Sequence, residues 1–191
     1  TVAAYTAASK IDSIAQQPFI AMGAAMATYC AQNYGAHKFE RIKKGINIGV
    51  ILIVIFSAVG FLLVFALKVP LLKLFSDDYA SIQSQAELYL YINAGTYLLL
   101  GLIHVFRNAI QGMGFSAVTM LSGVTELIMR VIAAFVFAGL FGYIGVCFAN
   151  PSAWLGADVI LLSIFVFIYK KHIRPALKTE QERLAERANS F

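Results

Sequence analysis

Glu126 and Arg130 lie four residues apart inside a long apolar run. On a helix that spacing puts both on one face, with the acid N-terminal to the base, which is the favourable order. An ionisable group in a membrane costs a few kcal/mol or more and is usually paired or functional. The pair is therefore either a structural ion pair between packed helices or a polar group lining a cavity. His104 and Arg107 are three apart near the end of another run, where Arg107 could snorkel to the interface. Asp158, about a turn into the last run, reads either as a carboxylate favoured by the helix dipole or as a pathway group. Lys10 and Asp12 are two apart and do not share a helical face, so either could reach the outer interface or a cavity. With Gln16 and Asn93, these residues are the candidates for a substrate pathway.

The elements that must position them are membrane helices. The chain has 191 residues, of which 60% are hydrophobic and 13% charged, against about a quarter charged in a soluble domain. A run of about 20 apolar residues spans a hydrocarbon core of about 30 Å as a helix. Lipid offers no partner to backbone N–H and C=O groups, and these runs lack the alternation of a barrel strand. The fold class is all-α, a polytopic integral membrane protein of about five transmembrane helices. The spans lie roughly at 3–34, 45–67, 87–110, 115–140 and 152–169, making a transmembrane lobe over 1–175, with a charged, helical, soluble tail over 176–191. Gly35 reads as a helix C-cap. Leu71–Phe75 reads as a segment lying on the membrane surface, in a polar connection with Asp77 and Asp78. Asn150 and Pro151 read as an N-cap and first helical residue.

The net charge of +5 could mark a nucleic-acid binder, but the basic residues stand at the ends of apolar runs and read as topology signals, so no nucleic-acid partner is expected. Lys38, Arg41, Lys43 and Lys44 follow the first span, and Lys170, Lys171, Arg174, Lys178, Arg183 and Arg187 follow the fifth. The opposite side has only Lys68 and Lys73. The tail is thus expected to be cytoplasmic, in a multi-pass protein of the cell membrane. Five spans then place the N-terminus outside, and with Thr1 as first residue the chain reads as lacking an upstream helix. Cys30 and Cys147 read as buried apolar residues. No Walker lysine, metal-ligand cluster or Ser/His/Asp set stands out, so neither enzyme chemistry nor a metal site is expected.

Four stretches carry a family likeness. The first is Val2-Ala3-Ala4-Tyr5 leading to Gly23-Ala24-Ala25-Met26-Ala27 and Ala31-Gln32-Asn33-Tyr34-Gly35-Ala36. The second is Arg107 with Gln111-Gly112-Met113-Gly114, and the third is Glu126-Leu127 with Arg130. The fourth is Gly142 and Gly145 with Asn150-Pro151-Ser152-Ala153-Trp154. In their order and placement the chain resembles, over about 1–169, the bacterial branch of the multidrug and toxic compound extrusion (MATE) family.

The resemblance implies a protein of two six-helix lobes related by an axis along the membrane normal, of which this chain would be the C-terminal lobe and an N-terminal lobe the partner. It implies multidrug efflux by secondary antiport, exporting lipophilic or cationic compounds against Na⁺ or H⁺, with no other cofactor. The coupling carboxylates of many members lie in the N-terminal lobe, and here the middle of the third span, 96–103, has no carboxylate. The alternatives are a lipid-linked precursor flippase of the same superfamily, which would need a strongly cationic cavity, and a non-transporting membrane scaffold. For the lobe reading, Gln16, Asn93, His104 and Glu126 should line an open polar groove that the tail does not touch.

Overall fold

A computed structural model describes residues 2–75 and 79–189, with the side chains of Gln181 and of residues 183–189 left undescribed. Asp77 and Asp78 of the polar connection lie outside the described residues, as do the side chains of Arg183 and Arg187. The regular structure among the described residues is all helical. Two helices, α1 (Val2–Ala15) and α2 (Gln17–Gly35), meet at Gln16, with Pro18 in the first turn of α2, where its missing N–H costs nothing. The chain then turns through Ala36 and His37, the latter at φ 54°. The C-cap of α2 is therefore Ala36, with Gly35 still helical.

One continuous helix follows, α3 (Phe39–Phe75), with Pro70 inside it. At 1.5 Å per residue, its 37 residues reach about 55 Å, well beyond a bilayer core. Leu71–Phe75 forms the last turn of this helix. The next span is broken, with α4 (Tyr79–Ala94) and α5 (Tyr97–Gly112) bent by 43° at Gly95–Thr96. Gly114, at φ +93°, closes the tight turn after α5.

The span after it is α6 (Ser116–Ile132), a π-helical turn over Ala133–Phe137, and α7 (Ala138–Phe141). Gly142, at φ +58°, reverses the chain into α8 (Tyr143–Cys147). There a Cβ on Gly145 would lie 2.0 Å from the Phe137 carbonyl oxygen. Only a glycine permits so close a backbone approach. Last come α9 (Ala149–Ile168), a π-helical turn over Tyr169–Ile173 and α10 (Arg174–Asn189).

Among the described residues, three helices are long and apolar enough to cross a membrane, within Phe39–Phe75, Ser116–Phe141 and Ala149–Glu180; the bent pair α4–α5 makes a fourth if taken as one span. The chain is thus an all-α polytopic membrane protein. The pair α1–α2 is not among these, because the break at Gln16 and the polar residues Lys10, Asp12, Gln17 and Asn33 interrupt its apolar run.

Helix α5 is central. It packs on α2, α3 and α9, while α6 packs on α9 and α1 on α4. Small residues bring these helices together. A Cβ on Gly112 of α5 would lie 2.3 Å from the Ala27 carbonyl oxygen of α2. Phe19, Ile53, Tyr97, Ile110 and Leu161 fill the core, whereas α3 and α6 turn Ile51, Leu62, Leu127 and Phe135 outward. Cys30 and Cys147 are free and buried, as their apolar surroundings imply.

As far as Glu180 the tail stays on the bundle. It continues α9 through Pro175, Leu177 is buried, and the backbone N–H groups of Phe39 and Glu40 donate to Glu180 Oε2 at 3.0 and 3.3 Å. A carboxylate there satisfies first-turn donors and complements the helix dipole. The basic stretch after α2 and the start of α10 are therefore at the same end of the bundle.

Candidate functional site

Three helices bring most of the ionisable candidates together. Arg107 on α5 donates from Nη2 to Glu126 Oε2 on α6 at 2.8 Å, and Arg130 Nη2 donates to Glu126 Oε1 at 2.7 Å. The Glu126 side chain is 15% exposed, against 25% for Arg107 and 45% for Arg130. The Arg107 head turns to a carboxylate on the neighbouring helix. The spacing of Glu126 and Arg130 delivers the expected contact, with Arg107 as its further partner.

Asp158 approaches the same cluster from α9. It is buried, neither carboxylate oxygen has a hydrogen-bond donor among the described residues, and the charge of Arg107 acts on it. The buried Nε of Arg107 likewise has no acceptor among them. The helix-dipole reading of Asp158 does not hold. Because α9 begins at Ala149, Asp158 lies more than two turns in, and the dipole effect fades within the first turn. Gly156 allows the approach of α9 to α6, since a Cβ there would meet Met129 Cγ at 2.8 Å. His104 is a half-buried neighbour on which both Arg107 and Glu126 act. It abuts α2 at Gly23, where a Cβ would lie 3.3 Å from His104 Nδ1.

A second polar network joins α1, α4, α5 and the start of α9. Asp12 is buried rather than at the outer interface. Its Oδ1 accepts from Tyr97 OH and its Oδ2 from Gln16 Nε2, each at 2.7 Å. Tyr89 also interacts with this carboxylate. Asn150 Nδ2 donates to Asn93 Oδ1 at 3.1 Å and to Tyr89 OH at 3.2 Å. Asn93 in turn donates to the Tyr89 carbonyl at 3.0 Å. Asn150 thus stands inside the first turn of α9 and bonds across helices instead of capping.

Lys10 is exposed, with its ammonium 5.9 Å from the Phe75 ring centroid. The expected open groove is not formed: Asn93 is 0% exposed, and Gln16 and Asn93 belong to one network while His104 and Glu126 belong to another. Buried polar groups seek partners, and Asp12 and Asn93 find them between helices, whereas Asp158 does not.

Sequence reasoning did not single out Tyr97 or Tyr89, and it read Asn150 only as a helix cap. It also missed a surface cluster where Lys68 Nζ meets Glu87 Oε2 at 2.7 Å and donates to Tyr91 OH, with Tyr79 OH on Glu87 Oε1 at 3.3 Å. Isolated opposite charges flanking one loop were the available signal. Among the described residues no group of His, Cys, Asp and Glu could hold a metal ion.

The family model MatE matches residues 1–136. The chain is 26% identical over 172 residues to "Probable multidrug resistance protein YoeA" of Bacillus subtilis (strain 168), an alignment covering 88% of this chain and 37% of that protein. The chain therefore spans little more than a third of the length of the curated relative it matches. No solved structure matches it.

Proposed function

Since this chain belongs to the MatE family of membrane transporters, we propose that it is the C-terminal lobe of a secondary active multidrug exporter. The complete protein moves lipophilic or cationic compounds outward in antiport with Na⁺ or H⁺. The pair α1–α2 serves as a fifth span, the basic end faces the cytoplasm, and an N-terminal lobe of the same chain supplies the other wall of the pathway and the coupling site. The alignment with 37% of a relative named as a probable multidrug resistance protein supports the partial-lobe reading.

The observation that carries the proposal is the set of ionisable side chains shared by α5, α6 and α9 in membrane-crossing segments: Arg107, Glu126, Arg130 and Asp158. A scaffold has no need of charges so costly in lipid. A flippase for lipid-linked precursors needs free cations for a pyrophosphate, and here both arginines share Glu126. The two polar networks then act as fixed interhelical ties that let the lobe move as a unit when it rocks against its partner lobe.

The test is efflux of a cationic dye from liposomes under imposed Na⁺ and H⁺ gradients. The complete protein should transport and residues 1–191 alone should not. Gradient-driven efflux by the single lobe, without dimerisation, or none by the complete protein under either gradient, overturns the reading.

A further inference from the structure

We propose that the cleft between the start of α3 and the end of α9 binds the headgroup of an anionic phospholipid. It is a half-open cavity of about 340 Å³. Lys43 enters from α3, and Lys170 and Arg174 from the π-helical turn and the first residue of α10. No acidic residue lines it. None of the three basic side chains has an ion-pair partner among the described residues. Among the described residues, Glu40 does not line the cleft, and Glu180 is engaged by the N–H groups of Phe39 and Glu40. Three cations without a local counter-charge call for an anion, and Lys and Arg bind phosphate oxygens with charge-assisted hydrogen bonds.

The remainder of the cleft decides which anion. Its floor is apolar, with Ile42, Ile46 and Ile173 buried and Phe165 beside them. Val166, 47% exposed, walls the cleft on α9, and Val50 lies one turn beyond Ile46 on the same face of α3. At this level the apolar run of α3 begins and that of α9 ends, which is headgroup depth in a bilayer. Inorganic phosphate makes no use of an apolar floor, whereas a phospholipid puts its phosphate on the cations and its glycerol and acyl carbons along the wall. Basic clefts between spans are suited to acidic headgroups. This inference needs only that the chain spans a membrane, not that it exports drugs.

The experiment counts phospholipids bound to the complete protein by native mass spectrometry during titration with phosphatidylglycerol or phosphatidylcholine. One site with at least about a tenfold preference for phosphatidylglycerol is expected, because each basic residue near an acidic lipid is worth about fivefold. Lys43→Gln, Lys170→Gln and Arg174→Gln together should abolish the preference. Val166→Trp should weaken binding with every charge in place. Lys44→Gln with Lys171→Gln removes two neighbouring charges that do not line the cleft and should leave the preference intact. Equal binding of the two lipids, an unchanged triple variant or an equal loss in the control pair overturns the proposal. So does displacement of the lipid by millimolar inorganic phosphate, which would make the cleft a phosphate site.

Discussion

Arg107 and Glu126, on adjacent helices, are joined at 2.8 Å, and the same carboxylate holds Arg130 at 2.7 Å through its other oxygen. One negative charge thus serves two guanidiniums of unequal exposure. Glu126→Gln should strand Arg107 and cost about 1–3 kcal/mol, between the values for exposed and fully buried pairs. Arg130→Gln should cost less than about 1 kcal/mol, because that side chain is 45% exposed. Combining Glu126→Gln with Arg107→Gln should be milder than the sum of the two single changes. Thermal unfolding of the complete protein in detergent measures all of these, and strict additivity would show that the contact carries no coupling.

Asp158 presents the opposite case. Its buried carboxylate has no donor among the described residues, so it costs stability rather than adding to it. Asp158→Asn should leave the melting temperature unchanged or raise it, while lowering dye efflux at least tenfold. Residues kept for function at the expense of stability behave in this way. A clear loss of melting temperature would mean that Asp158 has a structural partner, and normal efflux would remove it from the pathway.

Gly112 and Gly123 make a matched pair. A Cβ at Gly112 would lie 2.3 Å from a backbone oxygen of α2, whereas at Gly123 on α6 it meets open space. Gly112→Ala must push α2 from α5 and should cost about 1–3 kcal/mol, the range for overpacking. Gly123→Ala should be neutral or stabilising by up to about 1 kcal/mol through helix propensity alone. Melting temperatures of the two variants decide the matter, and similar values would mean that the α2–α5 approach is looser than described.

What could be read from the chain divides by the range of the interaction. Local patterns were legible. The apolar runs announce helices, four-residue spacing announces the Glu126–Arg130 contact, and Gly112–Gly114 announces a turn. Partners across helices were not, because residues such as Asp12 and Tyr97 are brought together over 85 positions by packing alone. Helix starts also misled. Asn150–Pro151 satisfies the local rule for a cap, but α9 begins at Ala149 and Asn150 serves Asn93 instead. The open groove failed for the same reason: a run of apolar residues does not say which polar positions face each other inside the bundle.

Glu180 allows a test of how the charged tail is attached. Its carboxylate accepts from the N–H groups of Phe39 and Glu40 at the start of the 37-residue α3, so tail and basic turn are tied at one end. Replacing a helix-capping acceptor costs about 0.5–2 kcal/mol. Glu180→Ala should therefore speed amide hydrogen exchange at Phe39 and Glu40 by about 2- to 30-fold, the factor that free-energy range implies. Exchange at Ile53 and Val105, buried far from this end, should stay as in the parent. Glu180→Gln keeps an acceptor oxygen without the charge, so it should fall between parent and alanine if the hydrogen bonds matter. It should match alanine if only the charge on the helix dipole matters. Unchanged exchange at Phe39 and Glu40 in both variants would mean that the tail is not docked at the start of α3.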